Sequence, residues 1–175
     1  MALLTTTPPE QAQGKLKELY QITEQYFGKV PNNVRMLGIS PKILENQLDL
    51  IEHYMPHPTL KPALLAMIRM LVSRGCKSPY CEALNTGILQ STGFSAQQIE
   101  ASKQDASHAP LDEKDKALLL LVLKATDNPH SVTAQDIEAV KKLGWGEPDI
   151  FDAVAHGARM VGTNIIFDTF KIDPE

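Results

Sequence analysis

The stretch from Lys61 to Arg74 constrains the fold most, because it is apolar almost all round. A helix with no polar face has to be buried, either in the core of a protein or in a contact between subunits. At about 14 residues it is shorter than the roughly 20 residues that a membrane crossing needs. The rest of the chain must therefore supply helices that pack around it. Its apolar residues are Leu64, Leu65, Met67, Ile68, Met70, Leu71 and Val72.

The other segments also have helical periodicity, and capping and turn residues separate them. Gly28, Gly93 and Gly144 each follow a helical segment and are expected to end it. Ser95 has a glutamine three residues later and Thr133 has an aspartate at the same spacing, which is typical of a capped helix start. No alternating strand pattern and no glycine-rich phosphate loop is evident. The sequence predicts an all-α bundle.

One domain over residues 10–175 is expected, after a mobile, proline-containing N-terminal leader at residues 1–9. Pro62–Leu65 and Lys116–Leu119 open two similar apolar helices, so an internal duplication of a helical unit is an alternative.

Composition excludes several classes of partner. The chain has 175 residues, a formal net charge of −4, evenly scattered lysines and arginines, and two cysteines. Nucleic acid and membrane surfaces call for a concentrated basic face, so neither is an expected partner. The polar N-terminal segment does not resemble a signal peptide, and we expect a cytoplasmic location in which thiols stay reduced. A small-molecule partner remains open.

The two cysteines lie next to a predicted helix start. Ser78 can act as its N-cap and Pro79 suits the first helical position, which puts Cys81 in the first turn. Unpaired backbone N–H groups and the helix dipole favour an anion there, and a thiolate is the nucleophilic form of cysteine. Asn85 follows one turn later on the same face, where it can hydrogen-bond a molecule bound at the sulfur. Tyr80 can donate a hydrogen bond near Cys81 or pack.

Cys76 has two interpretations. Five residues along one continuous helix would separate the cysteines by about 7.5 Å along the axis, too far for a disulfide with a Cα separation of about 4.4–6.8 Å. If the helix begins at Ser78, Cys76 lies in the turn and can fold back to resolve an oxidised Cys81. Alternatively, Cys76 is a small buried side chain and Cys81 is a packed thiol.

The histidines give no firm site from the sequence. His53 and His57 have the spacing of a helical metal pair, but Pro56 should end the helix between them, so we predict no metal site. His156 lies on the last apolar helix near Arg159. It is either a core or interface histidine or a base. No cofactor is expected.

Three passages resemble the carboxymuconolactone decarboxylase superfamily and, within it, the alkyl hydroperoxidase D-like, peroxidase-related branch. They are Phe27–Asn33, Leu71–Cys81 and the segment that begins at Lys124–Thr133. The resemblance extends over nearly the whole chain. It implies an alkyl hydroperoxidase D-like helical bundle, a homotrimer or homohexamer, and an antioxidant oxidoreductase that reduces peroxides with an external thiol as reductant.

The active-site motif of that branch is incomplete here. The branch has a glutamate on the preceding helix, then Cys-x-x-Cys, then a histidine four residues after the second cysteine, and together these relay a proton. Only Cys81 matches. Ser78 stands at the first cysteine, Asn85 at the histidine and Ala66 approximately at the glutamate. The resemblance therefore does not supply the relay.

Three functions follow as hypotheses. The first is peroxide reduction through Cys81, with Cys76 or an external thiol as reductant. The second is a non-catalytic member of the superfamily that binds a small organic molecule or serves in assembly. The third is a decarboxylase-type enzyme in which His156 replaces the lost acid and base.

Overall fold

The computed structural model describes residues 2–174, and these residues form helices and loops with no strand. The predicted all-α fold is confirmed. The helices are α1 (Gly14–Phe27), α2 (Asn32–Leu37), α3 (Pro41–Tyr54), α4 (Pro62–Gly75), α5 (Pro79–Ser91), α6 (Ala96–Gln104), α7 (Glu113–Asp127), α8 (Ala134–Lys142) and α9 (Glu147–Thr169), with short 3-10 turns at Pro9–Gln11, Ala106–His108 and Pro129–Ser131.

The described residues divide into two compact units. One contains the chain up to His57 together with the residues from Ile166 onward, and the other is Pro58–Ile165. Helix α9 contributes residues to both. A single domain over residues 10–175 stays a prediction, as does the internal duplication.

In the first unit, helix α3 packs against α1 and α2. Contacts also reach the segment predicted to be a mobile leader. Leu3 N–H donates to the carbonyl of Phe170 at 2.9 Å, Tyr20 Oη donates to the carbonyl of Thr7 at 3.1 Å, and Arg35 donates to the neighbouring Thr6 hydroxyl at 3.1 Å. Hydrogen bonds therefore hold the described part of this leader on its own unit.

In the second unit, helix α4 is the centre of the core. Its residues Leu64 to Val72 are buried with the exception of Arg69, which is partly exposed. Helices α5 and α7 pack against α4, and α9 approaches α4 and α7 at Gly157. The expectation from the sequence that this apolar helix is buried is confirmed.

The turn between α4 and α5 is a Schellman motif with an unusual residue. Lys77 N–H donates to the carbonyl of Arg74 and Ser78 N–H to that of Ser73, each at 2.9 Å. Lys77 has a left-handed φ of 57°. The same two-bond pattern closes α5 with Gly93 and α8 with Gly144 at the left-handed position. A residue with a Cβ is strained in that conformation, whereas glycine is not.

We therefore expect Lys77→Gly to raise the free energy of unfolding by about 0.5–1 kcal/mol, because relief of strain outweighs the extra freedom of glycine in the unfolded chain. The matched variant is Gly93→Ala, since nothing lies within 4 Å of a Cβ there and only the backbone is strained. It should lose about 1 kcal/mol. Urea unfolding of both variants measures these changes. A stability loss in Lys77→Gly would contradict the prediction.

Candidate functional site

The two cysteines lie in different environments at the start of α5. Cys81 is in the first turn, as predicted, and is 1% exposed. Cys76 follows the last residue of α4 and is exposed, which differs from the interpretation of Cys76 as a buried side chain. No disulfide joins them. Ser78 occupies the predicted N-cap position, but its buried side chain makes no capping hydrogen bond, so the expected cap is wrong in that detail.

Asn85 lies one turn after Cys81 on the buried face of α5 and is 2% exposed. Its Nδ2 donates to the main-chain carbonyl of Cys81 at 2.8 Å. The amide nitrogen is thus engaged with the backbone of the cysteine. The opposite end of the amide, Oδ1, accepts a hydrogen bond of 2.7 Å from Nε of Arg69 on α4.

Arg69 connects three helices. In addition to its bond to Asn85, its Nη1 lies 3.2 Å from Nε2 of His156 on α9. Arginine can only donate, so both partners must be neutral acceptors. Burial lowers the pKa of Arg69 to about 10. The guanidinium therefore still carries its charge at neutral pH, and its two side-chain partners carry none.

His156 is held neutral by the same contacts. Burial is the main cause, the neighbouring cations Arg69 and Arg159 add to it, and together they lower the pKa of His156 to about 3. A hydrogen bond to the backbone of Leu65 opposes the shift. Because Nε2 accepts from Arg69, the ring proton lies on Nδ1. Both ring nitrogens are therefore engaged.

Ser73 and Asn164 extend this polar chain. Ser73 Oγ donates to the carbonyl of Arg69 at 2.7 Å and lies 3.2 Å from Asn164 Oδ1. Asn164 is 1% exposed, and its Nδ2 has no hydrogen-bond partner within residues 2–174. Because the serine has one proton and gives it to the carbonyl of Arg69, an amide turned to present Nδ2 to Ser73 gives that nitrogen an acceptor, and Oδ1 takes the position without a partner. Helix α9 thus contacts the Arg69 region through His156 and Asn164.

An open depression of about 480 Å³ lies at the start of α5 and is lined by Arg74, Lys77, Pro79 and Glu82. The Glu82 carboxylate lies 2.8 Å from Lys103 Nζ and 3.5 Å from Arg74 Nη1. Its charge is therefore balanced at the surface. Cys81 does not line the depression, although Pro79 precedes it by two residues.

Of the predicted site residues, the structure connects Cys81, Asn85 and His156 through Arg69. Tyr80 is partly exposed in the first turn of α5, and Cys76 lies outside the polar chain. The sequence interpretation missed Arg69 and Ser73, and it placed Asn164 near His156 without assigning it to the site. A signal for Arg69 was present, because it is the one charged residue within the apolar run from Leu64 to Val72.

The sequence matches no family model, and no curated protein matches it significantly. Solved structures do match. A peroxidase-related protein from Silicibacter sp. has a TM-score of 0.86 at 19% identity, covering 99% of this chain and 92% of the other. A peroxidase-related protein with an alkylhydroperoxidase AhpD core from Ralstonia eutropha has a TM-score of 0.87 at 19% identity, with the same coverage.

A debrominase with one cysteine replaced by alanine, in complex with 2,3,4-tribromopyrrole, has a TM-score of 0.79 at 17% identity and covers 100% of this chain and 92% of its own. The chain has the alkyl hydroperoxidase D-like fold, as predicted. Among residues 2–174, no helix combines the length and apolar character that crossing a membrane requires.

Proposed function

We propose that the protein is a cysteine-dependent oxidoreductase of the peroxidase-related type, with Cys81 as the nucleophile. The observation that carries the proposal is the buried first turn of α5, where Asn85 binds the backbone of Cys81 and is itself bound by a charged Arg69. A cation near a helix N-terminus favours a thiolate. The fold is shared with peroxidase-related proteins, which supports the reaction class.

The reaction needs two reductive steps. The Cys81 thiolate attacks one peroxide oxygen, the O–O bond breaks, and the leaving oxygen takes a proton to become an alcohol or water. Cys81 is left as a sulfenic acid. A second thiol then forms an S–S bond with Cys81 and releases water. A mixed disulfide with an external thiol is reduced by one further thiol, whereas an internal Cys76–Cys81 disulfide needs two, which leave joined as a disulfide. Cys76 is one source of the second thiol and an external small thiol is the other. Because Cys76 is exposed and Cys81 is buried, the internal route requires the first turn of α5 to open.

The experiment exposes reduced protein briefly to stoichiometric hydrogen peroxide, with intact mass and peptide mapping of wild type, Cys76→Ser and Cys81→Ser. We expect a Cys76–Cys81 disulfide in the wild type and a sulfenic acid on Cys81, trapped by dimedone, in Cys76→Ser. Peroxide consumption by Cys81→Ser should fall to the level of buffer. If both thiols stay reduced under conditions that oxidise glutathione, the proposal is wrong.

The debrominase among the structural relatives favours a second candidate, in which Cys81 acts on a small halogenated ring instead of a peroxide. Bromide release from 2,3,4-tribromopyrrole in the presence of dithiothreitol, compared between wild type and Cys81→Ser, distinguishes this reaction from peroxide reduction. Equal release by the two proteins would exclude a role of Cys81.

The other two hypotheses have less support. A decarboxylase-type His156 would have to act as a base while Arg69 binds Nε2 and the pKa is about 3, too low for efficient proton abstraction near neutral pH. A non-catalytic binding or assembly protein is the remaining alternative, and it predicts inert thiols in the peroxide experiment.

The antioxidant role, cytoplasmic location and assembly into a homotrimer or homohexamer are part of the same proposal. Exposed apolar side chains on the second unit, Leu120 and Phe151 among them, agree with further burial between subunits.

A further inference from the structure

Arg69 is a partly buried cation without a counter-ion. Its side chain binds Asn85 Oδ1 and His156 Nε2, and no carboxylate pairs with it within residues 2–174. A cation taken out of water is costly unless an anion balances it. The neutral acceptors orient the guanidinium but leave its charge uncompensated, so this part of the site favours the arrival of a negative charge.

We infer that Arg69 is the positioning residue that stabilises the Cys81 thiolate, acting across the Asn85 bridge in place of a glutamate–histidine proton relay. This inference rests on the proposed function, in which Cys81 is the nucleophile. Arg69 lies three residues after Ala66, on the same helix, and it binds the residue four positions after Cys81. The hydrogen bond between Arg69 and Asn85 therefore joins α4 to α5. In the family that the sequence resembles, a glutamate close to the position of Arg69 and a histidine at the position of Asn85 are expected.

The two modes of activation differ in chemistry. A relay removes the thiol proton with a base, whereas a fixed cation lowers the free energy of the thiolate once the proton has left for water. Asn85 cannot pass on a proton near neutral pH, but its amide is polarised by the guanidinium at Oδ1 and aligned by the bond that Nδ2 donates to the main-chain carbonyl of Cys81. A fixed cation is therefore the contribution that these side chains can make.

A cation is needed because the helix end alone is weak. An ordinary thiol with a pKa near 8.5 is about 3% thiolate at pH 7, and a helix N-terminus lowers that pKa by less than about one unit. In general, a unit charge at a separation of about 8 Å and an effective dielectric near 20 shifts a pKa by roughly one unit or more, and here that shift must also offset the burial of Cys81, which raises the pKa of its thiol.

The other charged groups around Cys81 do not provide this effect. On α5, Glu82 is neutralised by Lys103 of α6 and by Arg74 of α4, at the surface. On α9, His156 is neutral, and Arg159, the other cation that lowers its pKa, is exposed. Arg69 is thus the cation of this region that lies against Asn85, the neighbour of Cys81. Arg74, five residues later on the same helix, serves as a matched control because it is exposed and paired with Glu82.

The experiment titrates the thiolate by its absorbance at 240 nm in a Cys76→Ser background, where Cys81 is the remaining thiol and no reagent has to reach it. With Arg69 in place, the apparent pKa of the Cys81 thiol should lie below 8.5. Arg69→Gln, which keeps a donor for Asn85 but loses the charge, should raise it by about one unit and lower the thiolate fraction at pH 7 about tenfold. Arg69→Lys should restore most of the shift, and Arg74→Gln should leave the pKa unchanged. Circular dichroism checks that each variant is folded.

The outcomes separate this inference from the proposed function. An Arg69-dependent thiolate in a protein that consumes no peroxide supports the inference and refutes peroxide reduction. Peroxide consumption with equal apparent pKa values in Cys76→Ser and its Arg69→Gln derivative overturns the inference and leaves the function intact. A Cys81 that forms no thiolate below pH 10 overturns it as well.

Discussion

Between pH 6.5 and pH 5, we expect the protein to lose about 1.5 kcal/mol of its free energy of unfolding through His156 alone. Its pKa is lowered from 6.5 to about 3 by burial and by neighbouring cations. In this pH range the unfolded chain binds a proton at the histidine and the folded protein does not, so acid favours the unfolded state. The loss begins near pH 6.5 and reaches roughly 3 kcal/mol by pH 4.

This pH range distinguishes the stability loss caused by His156 from the loss caused by protonation of carboxylates. Salt bridges and capping bonds lower the pKa values of Glu45 and Asp136 to about 2, so their stabilisation is lost only as the pH falls below about 4.5 and through those values. The loss between pH 6.5 and pH 5 therefore reports the half-buried His156. Protonation of His156 would also remove the Nε2 acceptor to which Arg69 donates.

Chemical unfolding at pH 6.5 and pH 5 measures the effect in wild type, His156→Gln and His130→Gln. Glutamine keeps an oxygen acceptor for Arg69 but does not titrate, so His156→Gln should be less sensitive to pH by about 1.5 kcal/mol. His130 is exposed in a 3-10 turn, and its variant should behave as the wild type does. The same pH dependence in all three proteins would show that His156 does not titrate in this way.

The fold could be predicted from the sequence because its signals are local. Gly28, Gly93 and Gly144 have positive φ where helices end, and Ser95 and Thr133 form capping boxes as predicted. Each of these signals depends on a few neighbouring residues. Lys77 shows the limit of such signals, because a lysine gives no hint that its backbone adopts the conformation that glycine has in the other two turns.

The candidate site could be predicted only in part. Cys81 and Asn85 are one turn apart on one helix, so spacing predicts their proximity. The hydrogen bonds of Arg69 join residues 16 and 87 positions apart, and no local pattern contains that information. A lone arginine in an apolar helix signals a buried polar contact, but which helices supply the partners is decided by tertiary packing.

Gly157→Ala is expected to destabilise the protein by about 2 kcal/mol, because side chains of α7 and α4 occupy the space that an added Cβ would need at this residue. A Cβ added there would lie 2.5 Å from Val122 Cγ1, 3.1 Å from Thr126 Cγ2 and 3.7 Å from Ile68 Cγ2. The first distance is shorter than any packing contact, so a helix or a side chain must shift. The gain in helix propensity, about 1 kcal/mol, does not offset that cost.

Gly162→Ala is the control that isolates the steric effect. Gly162 lies on the same helix, is exposed, and has nothing within 4 Å of an added Cβ, so this variant should gain about 0.5–1 kcal/mol in urea unfolding. Gly157 is also the residue after His156, and a displaced α9 would lengthen the hydrogen bond that Arg69 donates to His156. If Gly157→Ala is as stable as Gly162→Ala, α9 does not lie as close to α7 and α4 at this residue as described. The contact between His156 and Arg69, which depends on the same placement of α9, would then be in error as well.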